Sequence, residues 1–409
     1  MKVESQLHQL HQPWGTETHA SHRDYSWLDA LIIPVGRAVL ERSLLASGVT
    51  IDGDKPSDPQ IVHPRFYRRV LVEGTLGAGE AYIDGDWECP ALDEFSARLV
   101  KNDVRAHLQR SPEIVAWLKE LMLNRQAPGR SARDVTTHYD LGNDLYEAML
   151  GPSMAYSCGY WRAARTLIEA QTAKFELICK KLWLRPGQRL LDIGCGWGTL
   201  AHYAAEQHGV NVVGITVSPA QVEYARNTCK GLPVEIRLQD YRTLTERFDA
   251  VVSVGMFEHV GARNYDHYMD TAARCLRPGG LFLLHTIGGL RPSQTNNPWL
   301  DKHIFPGSNI PSLSQIVTAA EPYFVVEDCE NFGADYDRTL LAWWQNFDRA
   351  WPSLRHRYGD RFYRIWRYYL LTCAGSFRAR NNQLWQLVLS KDGLSGGYER
   401  VNTPARPNW

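Results

Sequence analysis

The stretch Arg189-Leu-Leu-Asp192-Ile-Gly194-Cys195-Gly196-Trp-Gly198-Thr199 runs from apolar residues through an acid into three glycines at alternate positions. Glycine at a strand-to-helix turn takes positive φ and lets backbone amides approach a ligand. A dinucleotide fingerprint needs G-x-G-x-x-G, and here the sixth place is Thr199. The spacing is therefore not the dinucleotide one. A tight turn alone requires neither three spaced glycines nor the preceding Asp192.

Other residues able to do chemistry stand just past predicted strands. After Asn211–Thr216 come Thr216 and Gln221, with no carboxylate for a ribose. After Val234–Leu238 come Gln239 and Asp240. Asp240 either accepts from an adenine amino group or caps a helix. After Ala250–Gly255 comes Met256-Phe-Glu258-His259, and Leu281-Phe-Leu-Leu284 ends in His285. A carboxylate and an imidazole at adjacent strand ends face one cleft and can hold and deprotonate a group. Alternatively, Glu258 and His259 form a solvated corner. Upstream, Thr137–Asp144 and Tyr156-Ser157-Cys158-Gly-Tyr-Trp161 read as a lid offering aromatic faces to a cation. The aromatic stretch from Tyr336 to Tyr369 reads as a helical subdomain, part of which could line a groove for a fatty chain.

These positions presuppose a scaffold. From Thr136 onward, Val/Ile/Leu-rich strands alternate with helices, at 189–192, 199–208, 211–216, 219–230, 234–238, 250–255, 263–276 and 280–286. That pattern is a doubly wound α/β fold with a parallel sheet, whose ligand sits at the strands' C-terminal ends. Ser218-Pro219 starts a helix, and Pro278-Gly279-Gly280 stops one. Ahead of it, residues 25–123 read as a smaller α+β domain, with a helix over 26–46, strand-like Val49–Ile51 and Gln60–Val62, and a glycine turn at Gly74, Gly77 and Gly79. Residues 1–24 read as a disordered extension, 124–135 as a linker, 136–392 as the catalytic domain and 393–409 as a tail.

Composition excludes several classes. The 409 residues carry 45 basic and 45 acidic side chains, which argues against a nucleic-acid surface. The eight cysteines include no close pair, so no C-x-x-C metal or redox motif exists and no metal is expected. The polar N-terminus lacks a signal core, and no run is long enough to span a membrane. A reducing cytoplasm is expected. The 25–123 domain is expected to associate with a membrane surface, through its amphipathic N-terminal helix or through Pro64-Arg-Phe-Tyr-Arg-Arg69, whose alternating basic and aromatic residues otherwise read as a solvated helix face.

Seven blocks occur in order: HYDLGND, YSCGYW, LDIGCGWG, SVGMFEHVG, FLLHTIG, NFGADYD and CAGSFRAR. Together they resemble the cyclopropane fatty acid synthases, a family that includes the mycolic acid cyclopropane synthases. LDIGCGWG alone would indicate only a methyltransferase dependent on S-adenosylmethionine (AdoMet). The resemblance covers about 136–390 and extends more loosely through Glu73–Cys89. It implies a class I AdoMet-dependent methyltransferase fold. It also implies methylene transfer to the cis double bond of an acyl chain in a membrane phospholipid, through a carbocation deprotonated by bound bicarbonate. Carried over by position, Glu258, His285 and Tyr336 hold the bicarbonate, with backbone amides of Cys158 and Ile287. Cys373 joins the active site, although the chemistry needs no thiol nucleophile. Tyr156, Ser157, Asp192, Gly194, Cys195, Gly196, Gly198, Thr216, Gln221, Gln239 and Asp240 bind AdoMet. The resemblance further implies a homodimer bound peripherally to the inner membrane surface. Rival readings are a fatty acid C-methyltransferase giving a methyl-branched or methylene lipid, a non-catalytic lipid-binding protein, and an RNA or small-molecule methyltransferase.

Overall fold

The computed structural model describes residues 26–104, 142–293 and 297–401. The expected extension, the helix expected over 113–123, the linker, residues 137–141 of the lid and the end of the tail lie outside the described residues. The chain divides into two compact units. Of the described residues, the first holds 26–104 and 347–372, and the second holds the rest. The span expected to be one catalytic domain, 136–392, thus lends a segment to the first unit.

In the first unit, α1 (Ser26–Leu44), α2 (Arg65–Glu73), α3 (Thr75–Ile83) and α4 (Leu92–Lys101) accompany a two-stranded ribbon, β1 (Gln60–Ile61) and β2 (Trp87–Glu88). Two expectations change here. Of the three expected turn glycines only Gly74 turns the chain, with φ +60° between α2 and α3, because Gly77 and Gly79 lie inside the helix Thr75–Ile83. Gly77 is instead where α3 crosses α2, and a Cβ there would run into the Arg69 carbonyl. Val49–Ile51 is a loop rather than a strand. The buried Asp58 carboxylate organises it by accepting from the Thr50 and Lys55 amides at 3.0 and 3.1 Å.

The Pro64–Arg69 patch is also corrected. Phe66 and Tyr67 are buried, and Arg65 and Arg69 pair with Asp86, with Arg69 also reaching Asp84. Apolar burial and ion pairing use up the face that would have met a lipid surface. Residues 347–372 complete this unit. Arg364 donates to the Tyr82 carbonyl at 2.8 Å, Arg367 donates to the Cys89 carbonyl at 3.1 Å, and Tyr368 lies 5.3 Å from the Tyr82 ring.

The second unit is built on a seven-stranded sheet in the order β5-β4-β3-β6-β7-β9-β8. Its strands are β3 (Arg189–Ile193), β4 (Asn211–Thr216), β5 (Val234–Leu238), β6 (Phe248–Val254), β7 (Leu276–Gly289), β8 (Val325–Asn331) and β9 (Asn382–Ser390). Five are parallel to their neighbours, and β9 runs antiparallel between β7 and β8. Alternate strand residues feed two cores. Leu191, Ile193, Val213, Val251 and Phe282 enter one, while Leu190, Val212, Val252 and Leu283 enter the other. Burial on both faces explains the unbroken apolar runs.

The helices are α5 (Asn143–Leu150), α6 (Leu167–Lys181), α7 (Thr199–His208), α8 (Pro219–Thr228), α9 (Tyr265–Cys275), α10 (Pro298–His303), α11 (Leu313–Ala320) and α12 (Ala334–Arg378), which breaks into two arms at Gly359, where φ is +75°. Ser218 caps α8 and Pro219 opens it, as the sequence indicates. Pro278-Gly279-Gly280 was expected to stop a helix and turn the chain; the helix ends at Cys275, ahead of it, and the stretch lies within β7. It bulges within β7 between the partners of Phe248 and Ala250. The order reverses between β3 and β6, so a crevice opens at the ends of those strands.

Candidate active site

A cavity of about 790 Å³ occupies that crevice. Ten of the eleven expected cofactor residues line it: Tyr156, Ser157, Asp192, Gly194, Cys195, Gly196, Thr216, Gln221, Gln239 and Asp240. Gly198 is the exception. Its φ is +82°, and a Cβ would stand 2.8 Å from the Ala225 Cβ, so it lets α7 pack on α8 behind the wall. Gly196 also has positive φ, but a Cβ there would meet no atom within 4 Å. Its bareness keeps the cavity open.

The wall is locally braced. Thr216 donates to Gln221 Oε1 at 2.7 Å. Asp240 caps the following turn through the Arg242 amide and pairs with its guanidinium at 2.6 Å. That pairing holds its carboxyl below the usual range. Asp240 thus caps a turn and also lines the cavity. Tyr156 joins an aromatic cluster, 5.6 Å from Tyr146 and 5.3 Å from Trp343, with Trp197 4.8 Å beyond Tyr146.

The second group lies at the ends of β6 and β7. Glu258 Oε1 accepts the Ile287 backbone N–H at 2.7 Å, and Oε2 is buried without a partner. Burial pushes this carboxyl up to about 7. The Ile287 amide was expected to hold an anion itself. Here the carboxylate fills that role, so the amide orients Glu258. His285 is fully buried two residues earlier on β7; its Nδ1 lies 3.1 Å from Gln386 Nε2 on β9, and its Nε2 has no partner. Burial, then the nearby Lys174 and Lys181, hold its pKa well below the ordinary value, so the ring is neutral.

Tyr336 stands in the first turn of α12, stacked on Phe377 at 4.4 Å. Burial first, then the proximity of Cys158 and Glu258, raises its phenol well above the ordinary value. The segment carrying Cys158 is fastened to the same helix end. Gly159 N–H donates to Thr339 Oγ1 at 3.1 Å, and Trp161 N–H donates to Asp335 at 2.8 Å. Glu258, Tyr336 and Cys158 therefore share one neighbourhood. Cys373 is nearby, and burial pushes its thiol up to about 12.

Strand-end reasoning missed Lys174, Trp197, Met256 and His259, which also line the cavity. Lys174 lies in α6, upstream of the sheet, so no strand end points to it. His259 was noticed only as a corner residue; it is half-buried, and loss of solvent lowers its pKa. Among the described residues no cluster of His, Cys, Asp or Glu could hold a metal, and no helix is long and apolar enough to cross a membrane.

Residues 126–387 match the family model described as mycolic acid cyclopropane synthetase. The chain is 49% identical over 358 residues to the cyclopropane-fatty-acyl-phospholipid synthase of Escherichia coli (strain K12), covering 87% of this chain and 93% of that one. It is 30% identical over 297 residues to the sphingolipid C9-methyltransferase A of Emericella nidulans, covering 68% and 57% respectively. Among solved structures, mycolic acid cyclopropane synthase CmaA1 complexed with SAH and CTAB superposes with a TM-score of 0.60 at 33% identity, over 63% of this chain and 97% of that one. With the crevice, the glycine loop and these similarities in hand, the chain belongs to the mycolic acid cyclopropane synthetase family and has the class I AdoMet-dependent methyltransferase fold.

Proposed function

We propose that this chain closes a cyclopropane ring on the cis double bond of acyl chains in bilayer phospholipids. AdoMet supplies the methyl carbon and leaves as S-adenosylhomocysteine. The alkene π pair forms the new carbon–carbon bond, one alkene carbon becomes cationic, and loss of a proton from the new methyl lets that carbon close the ring. The observation that carries this reading is two buried, unpartnered atoms at neighbouring strand ends, Glu258 Oε2, which lies near the Tyr336 phenol, and His285 Nε2 on β7. Buried polar atoms without partners are rare and costly, and a small oxyanion would satisfy them. Bicarbonate fits: a neutral imidazole, a phenol and a protonated carboxyl all donate. When bound, it supplies the acceptor for the departing proton.

The chain's own residues do the rest. Ser157, Gly194 and Gly196 would seat the co-substrate, and Thr216, Gln221, Gln239 and Asp240 would meet its nucleoside end. An alkene is a weak nucleophile, so holding the methyl in line at contact distance contributes much of the rate. The rings of Tyr156, Trp343 and Tyr336 keep water from the cation and offer it π-faces. Ile287 fixes Glu258, and Cys158 lies beside Tyr336. Cys373, a protonated thiol, has no step. A homodimer would present two bilayer contacts at the inner membrane surface.

The test mixes purified chain, AdoMet and vesicles of unsaturated phospholipid. The lipid is expected to gain one methylene, with upfield ring protons by NMR, and Glu258→Gln to abolish the gain. No mass gain would leave only a lipid-binding protein. A gain without ring protons would favour the C-methyltransferase reading, to which the sphingolipid methyltransferase relative lends some weight.

A further inference from the structure

Lys174 is a buried amine that none of the steps above uses; burial lowers its pKa to about 7, so a bound anion beside it would favour its charged form. It reaches the cavity from α6, with its side chain wholly within the protein. Its Nζ donates to Ser157 Oγ at 2.8 Å and to Gln171 Oε1 at 2.6 Å. An ammonium has three donors; the Phe175 ring lies 4.6 Å from Nζ, and one donor is left without a hydrogen-bond acceptor among the described residues. Across the same cavity, Asp192 is fully buried, and its Oδ2 has no hydrogen-bond partner. Lys174 and Asp192 feel each other electrostatically, but no direct ion pair joins them among the described residues.

A buried amine and a buried carboxyl facing one cavity, each with bonding capacity left over, suit a ligand that carries both charges. Most of AdoMet cannot do this, since its nucleoside is neutral and its sulfonium is cationic. Its α-amino-acid end is zwitterionic, with an ammonium for Asp192 and a carboxylate for the Lys174 side. Ser157 links the two ends of the argument. Because its oxygen accepts from Lys174, its own hydroxyl proton is directed elsewhere, and Ser157 lines the cavity. It therefore presents a donor to an anionic group.

We propose that Lys174 is the positioning residue for the amino-acid end of AdoMet, acting through the Ser157 hydroxyl and opposite Asp192. This rests on the AdoMet reading and adds a specificity to it: Lys174 selects ligands that keep the amino-acid arm. Fixing that arm also fixes where the methyl points, because arm and methyl share one sulfur.

The experiment titrates two probes into the full-length chain by calorimetry. One is S-adenosylhomocysteine; the other is 5′-methylthioadenosine, which keeps the nucleoside and sulfur but lacks the arm. In Lys174→Met, S-adenosylhomocysteine is expected to bind about tenfold more weakly or worse, and methylthioadenosine to bind within about twofold of the parent. Equal weakening of both probes, or of neither, would overturn the proposal, since a residue that only props the wall cannot tell them apart. Should Lys174→Met fail to fold, Ser157→Ala carries the same expectation and the same overturning result. If the parent chain binds neither probe, the AdoMet reading itself fails. If the parent binds both and the variants do not discriminate, only the role of Lys174 fails.

Discussion

Glu258 has one oxygen bonded and one bare, and burial moves its pKa from 4.5 to about 7. A carboxyl whose folded pKa lies above its unfolded one stabilises the fold at low pH, and that contribution is lost as pH rises through the folded pKa. The shift corresponds to about 3 kcal/mol. Glu258→Gln keeps an acceptor for Ile287 and cannot ionise. Its stability relative to the parent should therefore climb between about pH 5 and 7 and then level off, by up to about 3 kcal/mol in urea unfolding. A gap that does not change with pH would contradict the buried, uncharged carboxyl. Cys373→Ser should keep turnover within about twofold, because a thiol this buried stays protonated and takes no step; loss of turnover would give it one. Much of this site was legible at the sequence level, because crevice chemistry sits at strand ends, where Glu258, His285, Thr216 and Asp240 stand. The role of the Ile287 amide and the reach of Lys174 were not legible, since both depend on which atoms tertiary packing brings together.

Glycines in one loop have different duties, and the element scale separates them. Gly198 spaces α7 from α8, whereas Gly196 faces the open cavity. Gly198→Ala should lose about 1–3 kcal/mol of stability from overpacking and strain. Gly196→Ala bears only the backbone strain, about 1 kcal/mol, but puts a methyl where the ligand lies. Denaturant midpoints and S-adenosylhomocysteine titrations of the two variants should rank them in opposite orders; the same order in both would refute the distinction. Motif spacing shows that three glycines are needed, but not which one touches a helix. The same limit applies to strands. The five parallel strands were legible as apolar runs followed by helices. β8 and β9 were missed because they follow no such rhythm, and β9 returns antiparallel from a long helix. Gly77, read as a turn, is a helix crossing, which depends on a neighbour 8 residues away in the chain.

At the scale of the whole molecule, the chain leaves the second unit at Phe347 and re-enters it at Cys373. Tyr82, Trp87 and Cys89 are buried in the first unit, where Arg364, Arg367 and Tyr368 meet them. A fragment beginning at residue 129 would strip residues 347–372 of those partners. It should be poorly soluble and melt well below the full chain in a thermal scan; equal solubility and melting would show that residues 347–372 stand alone. The account as a whole turns on an anion held beside the reacting methyl by Glu258, His285 and Tyr336. The most direct test is the initial rate of methylene gain in vesicle lipid, measured in carbon-dioxide-free buffer and again with added bicarbonate. The rate should collapse without bicarbonate and recover on its addition in the parent chain, while Glu258→Gln stays inactive in both. A parent rate that is the same with and without bicarbonate would contradict the account.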